Sequence, residues 1–139
     1  MKCCEQRLEI ATSGRGLVDI TTDVQHAVGR AGITTGFVVV FCQHTSCSLL
    51  IQENADPSAR RDLLAWLERL APDGDPRYTH DAEGPDDMAA HLRSAVTRTS
   101  ETIPIHGSRL ALGMWQGLFL AEHRTRPHRR RLAVTVVGT

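Results

Sequence analysis

A run of apolar, mostly β-branched residues, Gly36-Phe-Val-Val-Val-Phe41, breaks into the polar cluster Cys42-Gln-His-Thr-Ser-Cys47 and resumes as Ser48-Leu-Leu-Ile51. That pattern reads as two buried strands with chemistry at their junction. Gln52-Glu-Asn-Ala-Asp56-Pro57 follows, with Asp56 placed to N-cap a helix and Pro57 to occupy its first turn. An imidazole, two hydroxyls, an amide and carboxylates therefore gather at strand ends, where sites tend to lie.

The remaining elements are arranged around this stretch. Glu5 to Thr12 alternates polar and apolar as a half-buried strand does, and Leu17 to Ile20 forms a short second one. Thr21 or Thr22 can cap a helix carrying Val24, Ala27, Val28 and Ala31 on one face, closed by Gly29 to Gly32. From Pro57 to Leu70 the spacing of Ala59, Leu63, Leu67 and Leu70, with Trp66 beside them, predicts an amphipathic helix. A polar, turn-rich loop through Tyr78, His80 and Pro85 leads to a third helix near Asp86, with Met88, Leu92, Ala95 and Val96 as its expected buried face. Strands are expected over Thr99–Ile105, Arg109–Leu112, Trp115–Ala121 and Arg131–Val137, with Pro104 marking an edge or strand end and His106-Gly-Ser108 a tight turn. Helices that do not alternate regularly with strands predict an α+β domain on a largely antiparallel sheet with about three helices. At 139 residues the chain supports one domain, 1–139, with a proper core.

Charge excludes some functions. Sixteen basic residues balance sixteen acidic ones, so no net charge draws the chain to nucleic acid or an anionic membrane. Aromatic residues make up only 4% and none interleaves with the arginines of Arg124–Arg131, which removes a stacking platform for single strands. That arginine-rich segment joins two expected strands; as a hairpin loop it offers guanidinium forks to a phosphate, or is simply a solvated loop. No stretch approaches the ~20 apolar residues of a membrane span, and the start lacks the apolar core of a signal peptide, so the cytoplasm is the expected compartment. The four cysteines, Cys3, Cys4, Cys42 and Cys47, fit neither a disulfide framework nor a zinc ribbon, and Cys42 and Cys47 read as small buried residues.

Seven histidines are many for this length. His44 stands at a strand end, His80 in the polar loop, and His91 four residues after Asp87 on one helix face. Three imidazoles with an open fourth position suit a catalytic zinc, the alternative being capping or hydrogen-bonded residues. Glu53, Asp56, Asp62, Asp87 and Glu122 supply carboxylates for orienting ligands or for general base work. No Gly-x-Ser-x-Gly nucleophile motif and no glycine-rich nucleotide loop is present.

Taken in order, His44-Thr-Ser46, Glu53-Asn-Ala-Asp56-Pro57, Asp62, His80, Glu83-Gly84, Asp87, His91, Gly113, Trp115-Gln-Gly117 and Glu122 resemble the YjbQ-like family of secondary thiamine-phosphate synthase enzymes, nearly end to end. The resemblance implies a homotrimer with a site of histidines and acids that holds a divalent metal, and a secondary activity joining a pyrimidine methyl diphosphate to a thiazole phosphate with loss of pyrophosphate. Carried to matching positions, it makes His44, His80 and His91 the metal ligands and Glu53, Asn54, Asp56 and Asp87 the catalytic candidates. Thr45, Ser46, Arg109, Trp115, Gln116 and Arg130 become the substrate-binding candidates. Three imidazoles favour zinc over magnesium, which prefers oxygen donors. One departure stands out: Gly113-Met-Trp-Gln116 occupies the place of the family's usual Gly-Thr-Trp-Gln. The expected function is an enzyme of phosphorylated small molecules; the alternative is a non-enzymatic trimeric metal- or metabolite-binding protein.

Overall fold

The two central strands form, but they do not pair with each other. In a computed structural model that describes residues 1–139, they belong to two separate antiparallel sheets. The chain runs β1 (Lys2–Ala11), β2 (Gly16–Asp19), α1 (Thr21–Ala31), β3 (Thr35–Cys42), β4 (Cys47–Glu53), α2 (Pro57–Leu70), α3 (Asp87–Ala95), β5 (Ser100–His106), β6 (Arg109–Leu110), β7 (Gln116–Glu122) and β8 (Arg129–Gly138). A five-stranded sheet has the order β1-β8-β3-β5-β6, and a three-stranded sheet the order β2-β7-β4. The polar segment Gln43–Ser46 therefore carries the chain from one sheet to the other. The α+β class is as expected.

The core lies between the sheets and α1. Val38, Val40 and Cys42 of β3, Leu132, Val134 and Val136 of β8, Ile103 and Ile105 of β5, and Leu118 and Leu120 of β7 all face it, together with Val24, Ala27 and Val28 of α1. At the β3–β8 pair, Gly36 lies opposite Gly138. A Cβ on Gly36 would overlap the Val137 carbonyl, so the close backbone approach requires glycine there. Phe119 and Ala121 alternate to the other face of β7, where Arg60 of α2 stacks over the Phe119 ring at 5.7 Å.

Several expectations are corrected. The β3 run is buried on one face only, because alternation turns Phe37 and Phe41 outward, leaving them 41% and 46% exposed. Neither Thr21 nor Thr22 caps α1: the Asp19 carboxylate accepts the Thr21 N–H at 2.9 Å, and the Thr21 hydroxyl accepts from the Leu118 N–H at 2.9 Å instead. Gly32, with φ of 64°, ends that helix. On α3 the buried face is Asp87, Ala89, Ala90 and Arg93, rotated away from the expected Met88–Val96 face. The cause is Arg93, which reaches inward and donates to the Ala71 carbonyl through Nε (3.1 Å) and Nη2 (2.9 Å). Arg109–Leu112 shrinks to two paired residues, since the Ala111 N–H turns back to the Pro104 carbonyl. The arginine-rich segment is not a hairpin loop, because β7 and β8 lie in different sheets.

By contrast, α2 starts as the sequence demands, with Asp56 accepting the Ser58 N–H at 2.9 Å and Pro57 in the first turn. Of its apolar stripe only Leu67 is fully buried, and Trp66 and Leu70 remain about half exposed. No helix is long and apolar enough to cross a membrane.

Candidate metal centre

Asp87 opens α3 and His91 follows one turn later, so both side chains emerge on the same side of the helix. The loop before α3 brings His80 to them. Nε2 of His80 lies 2.9 Å and Nε2 of His91 3.1 Å from the same oxygen, Oδ2 of Asp87. The two rings stand 5.4 Å apart between centroids. Asp87 is 1% exposed, and its other oxygen accepts from Arg124 Nη1 at 2.7 Å. Arg124 in turn donates through Nε to Asp86 at 3.0 Å, and the Thr125 N–H donates to the same Asp86 oxygen at 2.9 Å. Burial pushes the Asp86 carboxyl upward, but the Thr125 N–H and the Arg124 guanidinium outweigh it and hold it down at about 2.

The protons decide what this cluster is for. His91 Nδ1 lies 2.9 Å from the backbone carbonyl of Thr45. A carbonyl only accepts, so Nδ1 carries the hydrogen, and in the neutral ring Nε2 presents a lone pair to an Asp87 oxygen that is also an acceptor. Two acceptors at 3.1 Å repel unless a proton or a cation lies between them. One imidazole oriented by a carbonyl, a second imidazole and a carboxylate, with ligand atoms all within 4.8 Å, are a donor set that fits a divalent transition metal. A cleft of about 620 Å³ lined by His91, His44, Thr45, Phe41, Cys42 and Ser94 lies on one side. A pocket of about 370 Å³ containing His80, Tyr78 and Met88 lies on the other.

The other candidate residues divide between two places. His44 lines the same cleft as His91 but stands outside the ligand cluster. Its Nε2 accepts the Arg131 N–H at 2.8 Å, and burial together with the Arg130 charge holds its pKa below the usual histidine value. Thr45 contributes its carbonyl, and the Ser46 hydroxyl accepts from Arg130 Nη2 at 3.0 Å. Arg130 is buried and committed to Glu122, with Nε donating to Oε1 at 2.9 Å and Nη2 to Oε2. Glu122 is fully buried, also accepts from the Thr12 hydroxyl at 2.7 Å, and is held below its usual pKa because these hydrogen bonds outweigh its burial.

Glu53, Asn54, Asp56, Trp115 and Gln116 lie at the other end of the β4–β7 pair, where Glu53 faces Gln116 while Cys47 faces Glu122. Six residues at about 3.4 Å each separate the two ends by about 20 Å. There Glu53 accepts the N–H groups of Ala55 (3.2 Å) and Asp56 (3.0 Å), Asn54 donates to the Gln116 carbonyl at 3.3 Å, and Trp115 is 60% exposed. Arg109 stands with Gln116 around a pocket of about 290 Å³ at this end. Of the catalytic candidates, only Asp87 joins the histidines.

Residues not singled out from the sequence also matter. Asp86 anchors Arg124, and its signal was the doubled acid at a helix start. His123 is buried, with Nε2 2.8 Å from the Ser48 hydroxyl, which also accepts from Thr97 Oγ1 at 2.6 Å. Burial and the charge of Arg93 push the His123 pKa down to about 4. Its only sequence signal was a histidine directly after an apolar strand. Cys42 and Cys47 are buried free thiols, as expected.

The family described as UPF0047 protein YjbQ-like matches the chain over residues 6–139. A UPF0047 protein of Synechocystis is 51% identical over 134 residues, covering 96% of this chain and 91% of its own. The UPF0047 protein YjbQ of Escherichia coli O157:H7 is 35% identical, covering 96% and 97%. Among solved structures, an uncharacterized conserved protein of the YjbQ/UPF0047 family from Clostridium acetobutylicum superposes with a TM-score of 0.87 at 34% identity, covering 95% of this chain and 99% of that one. A conserved hypothetical protein from Thermus thermophilus gives 0.85 at 39% identity, again covering 95% and 99%.

Proposed function

The chain belongs to the YjbQ-like UPF0047 family, and from that premise we propose that it is an enzyme of phosphorylated small molecules that binds a divalent transition metal through His80, Asp87 and His91. The observation that carries this is the Thr45–His91 hydrogen bond, which aims the His91 Nε2 lone pair at an oxygen already shared with His80. Two nitrogens and one oxygen favour zinc or a similar ion over magnesium. When bound, such an ion supplies a Lewis acid for a phosphoryl oxygen or lowers the pKa of water.

The chain's own residues do the rest. Arg124 holds Asp87 in place by donating to its Oδ1 at 2.7 Å, which leaves Oδ2 to the two imidazoles. The Thr45 carbonyl fixes the His91 tautomer, and neutral His44 offers a polar wall to the cleft that His91 opens onto. The transfer reaction we assign is of the thiamine-phosphate synthase type, in which a pyrimidine diphosphate loses pyrophosphate and the thiazole nitrogen captures the pyrimidine carbon. The chain assembles as a homotrimer in this reading, supported by the outward apolar stripe of Phe37, Val39 and Phe41 on a central strand, larger than isolated exposed residues explain.

One observation favours a second reading, a non-enzymatic metal- or metabolite-binding protein. Arg124, which donates to Asp87, and Arg130, which lies beside His44, are buried and both paired with carboxylates. Metal content of the purified protein, followed by thiamine phosphate formation with and without chelator, separates the two. Turnover that disappears in folded, metal-free His80→Ala and His91→Ala supports the enzyme; bound metal with no turnover on phosphorylated substrates supports the alternative.

A further inference from the structure

Cys42 ends β3 in the five-stranded sheet and Cys47 opens β4 in the three-stranded one, yet their sulfurs lie only 3.3 Å apart. Two thiols in contact across the seam between sheets, beside a cleft that Cys42 helps to line, have no part in the chemistry assigned above. Cys3 and Cys4 differ: they are neighbours on one strand, opposite Val137 and Val136, and alternate to opposite faces of the sheet.

We propose that Cys42 and Cys47 form an oxidisable pair that closes to a disulfide on exposure to a hydroperoxide and thereby weakens the adjacent metal centre. The pair brackets Gln43–Ser46, the segment that carries the Thr45 carbonyl to His91. Closing the sulfurs from 3.3 Å to a bond of about 2.05 Å draws the ends of that segment together. Closure also removes the hydrogen that the Cys42 thiol donates to the Cys47 carbonyl at 3.4 Å. The same carbonyl accepts from Ser94 Oγ at 3.3 Å, and Ser94 lies on α3 one turn beyond His91, so the change reaches that helix at two points. Loss of a hydrogen bond that orients a metal-binding histidine typically costs tenfold or more in affinity.

The step is balanced. One sulfur attacks a peroxide oxygen and becomes a sulfenic acid as the first water or alcohol leaves. The second sulfur then displaces the sulfenic oxygen as water, forming the S–S bond. The two thiol hydrogens depart in the products, each sulfur loses one electron, and the peroxide gains two.

The disulfide stands on geometry alone, whereas its effect on metal rests on the reading of His80, Asp87 and His91 given above. The test treats the full-length protein with hydrogen peroxide, blocks remaining thiols with an alkylating agent and digests with trypsin, which leaves both cysteines in the single peptide 31–60. The expected peptide is two hydrogens lighter and unlabelled, and regains two labels after a thiol reductant. Two labels without reductant, or an oxygenated sulfur in place of the bridge, overturns the disulfide. Zinc titration of the oxidised protein should show affinity lower by about tenfold or more, restored by reductant, and no response to peroxide in Cys47→Ala. Equal affinity in the two forms overturns the coupling. Zinc bound by neither form defeats the metal reading and the coupling together, while the peptide still decides the disulfide.

Discussion

Arg124 Nη1 meets Asp87 Oδ1 at 2.7 Å, an ion pair in which both side chains are at least nine-tenths buried. It ties the segment leaving β7 to the first turn of α3, and Asp86 closes the arrangement by pairing with Arg124 Nε at 3.0 Å. Replacing Arg124 by Met leaves two carboxylates without their cation. A loss of about 3–5 kcal/mol is expected, as for one partner removed from a buried pair. Urea unfolding of R124M measures it, and a loss under about 1 kcal/mol would mean that water replaces the guanidinium.

Metal binding should separate the histidines. His80→Ala and His91→Ala are each expected to lower zinc affinity at least about a hundredfold without unfolding the chain, because each removes one of the three proposed ligands. His44→Ala should leave zinc bound with nearly unchanged affinity, because its ring stands outside the ligand cluster and engages the Arg131 N–H instead. Calorimetric titration of the three variants decides it; equal losses would bring His44 into the coordination sphere.

Acid should destabilise the fold in a defined window. The His123 pKa is depressed from 6.5 to about 4, chiefly by burial and then by the Arg93 charge. Between those values the unfolded chain takes up a proton that the folded chain refuses. The contribution is therefore complete above about pH 6.5 and lost as pH falls toward about 4, on the order of 3 kcal/mol in total. Glu122, depressed from 4.5 by its hydrogen bonds, adds a loss of the same sign below that value. Denaturant midpoints from pH 7 to 4 should fall steadily, and His123→Phe should flatten the upper part of the curve.

Gly36→Ala should destabilise by roughly 1–3 kcal/mol or more, because the added Cβ overlaps the Val137 carbonyl and the strands must part. Gly29→Ala, where the added carbon meets nothing within 4 Å, is the control and should be neutral or mildly stabilising. Thermal midpoints of the two variants give the comparison.

Local signals explain what was legible in the sequence. Asp56 and Pro57 place the start of α2, and the spacing of Asp87 and His91 places two members of the cluster on one side of a helix. His80 arrives through a loop, and no periodicity specifies its approach to Asp87. The switch of sheet between β3 and β4 is equally hidden, because an apolar run looks the same whichever neighbour it pairs with. The buried face of α3 misleads for a physical reason: Arg93 occupies the interior by satisfying its guanidinium on Ala71 and near Asp73, so hydrophobicity points to the wrong side. Arg124 and Arg130 look like free phosphate clamps in a basic run, but their acids lie elsewhere in the chain, and only the fold matches them.

The passage from β3 to β4 has a mechanical consequence. Since β4 is locked against β7 from Cys47 opposite Glu122 to Glu53 opposite Gln116, the end of the Gln43–Ser46 segment that follows Thr45 is anchored by that whole ladder, and the reach of the Thr45 carbonyl to His91 depends on its register. A slip of a single residue would turn Leu49 out of the interior and Leu50 into it. The aim of one imidazole is thus geared to the alignment of an entire strand, so the packing of the interior also sets the geometry of the centre.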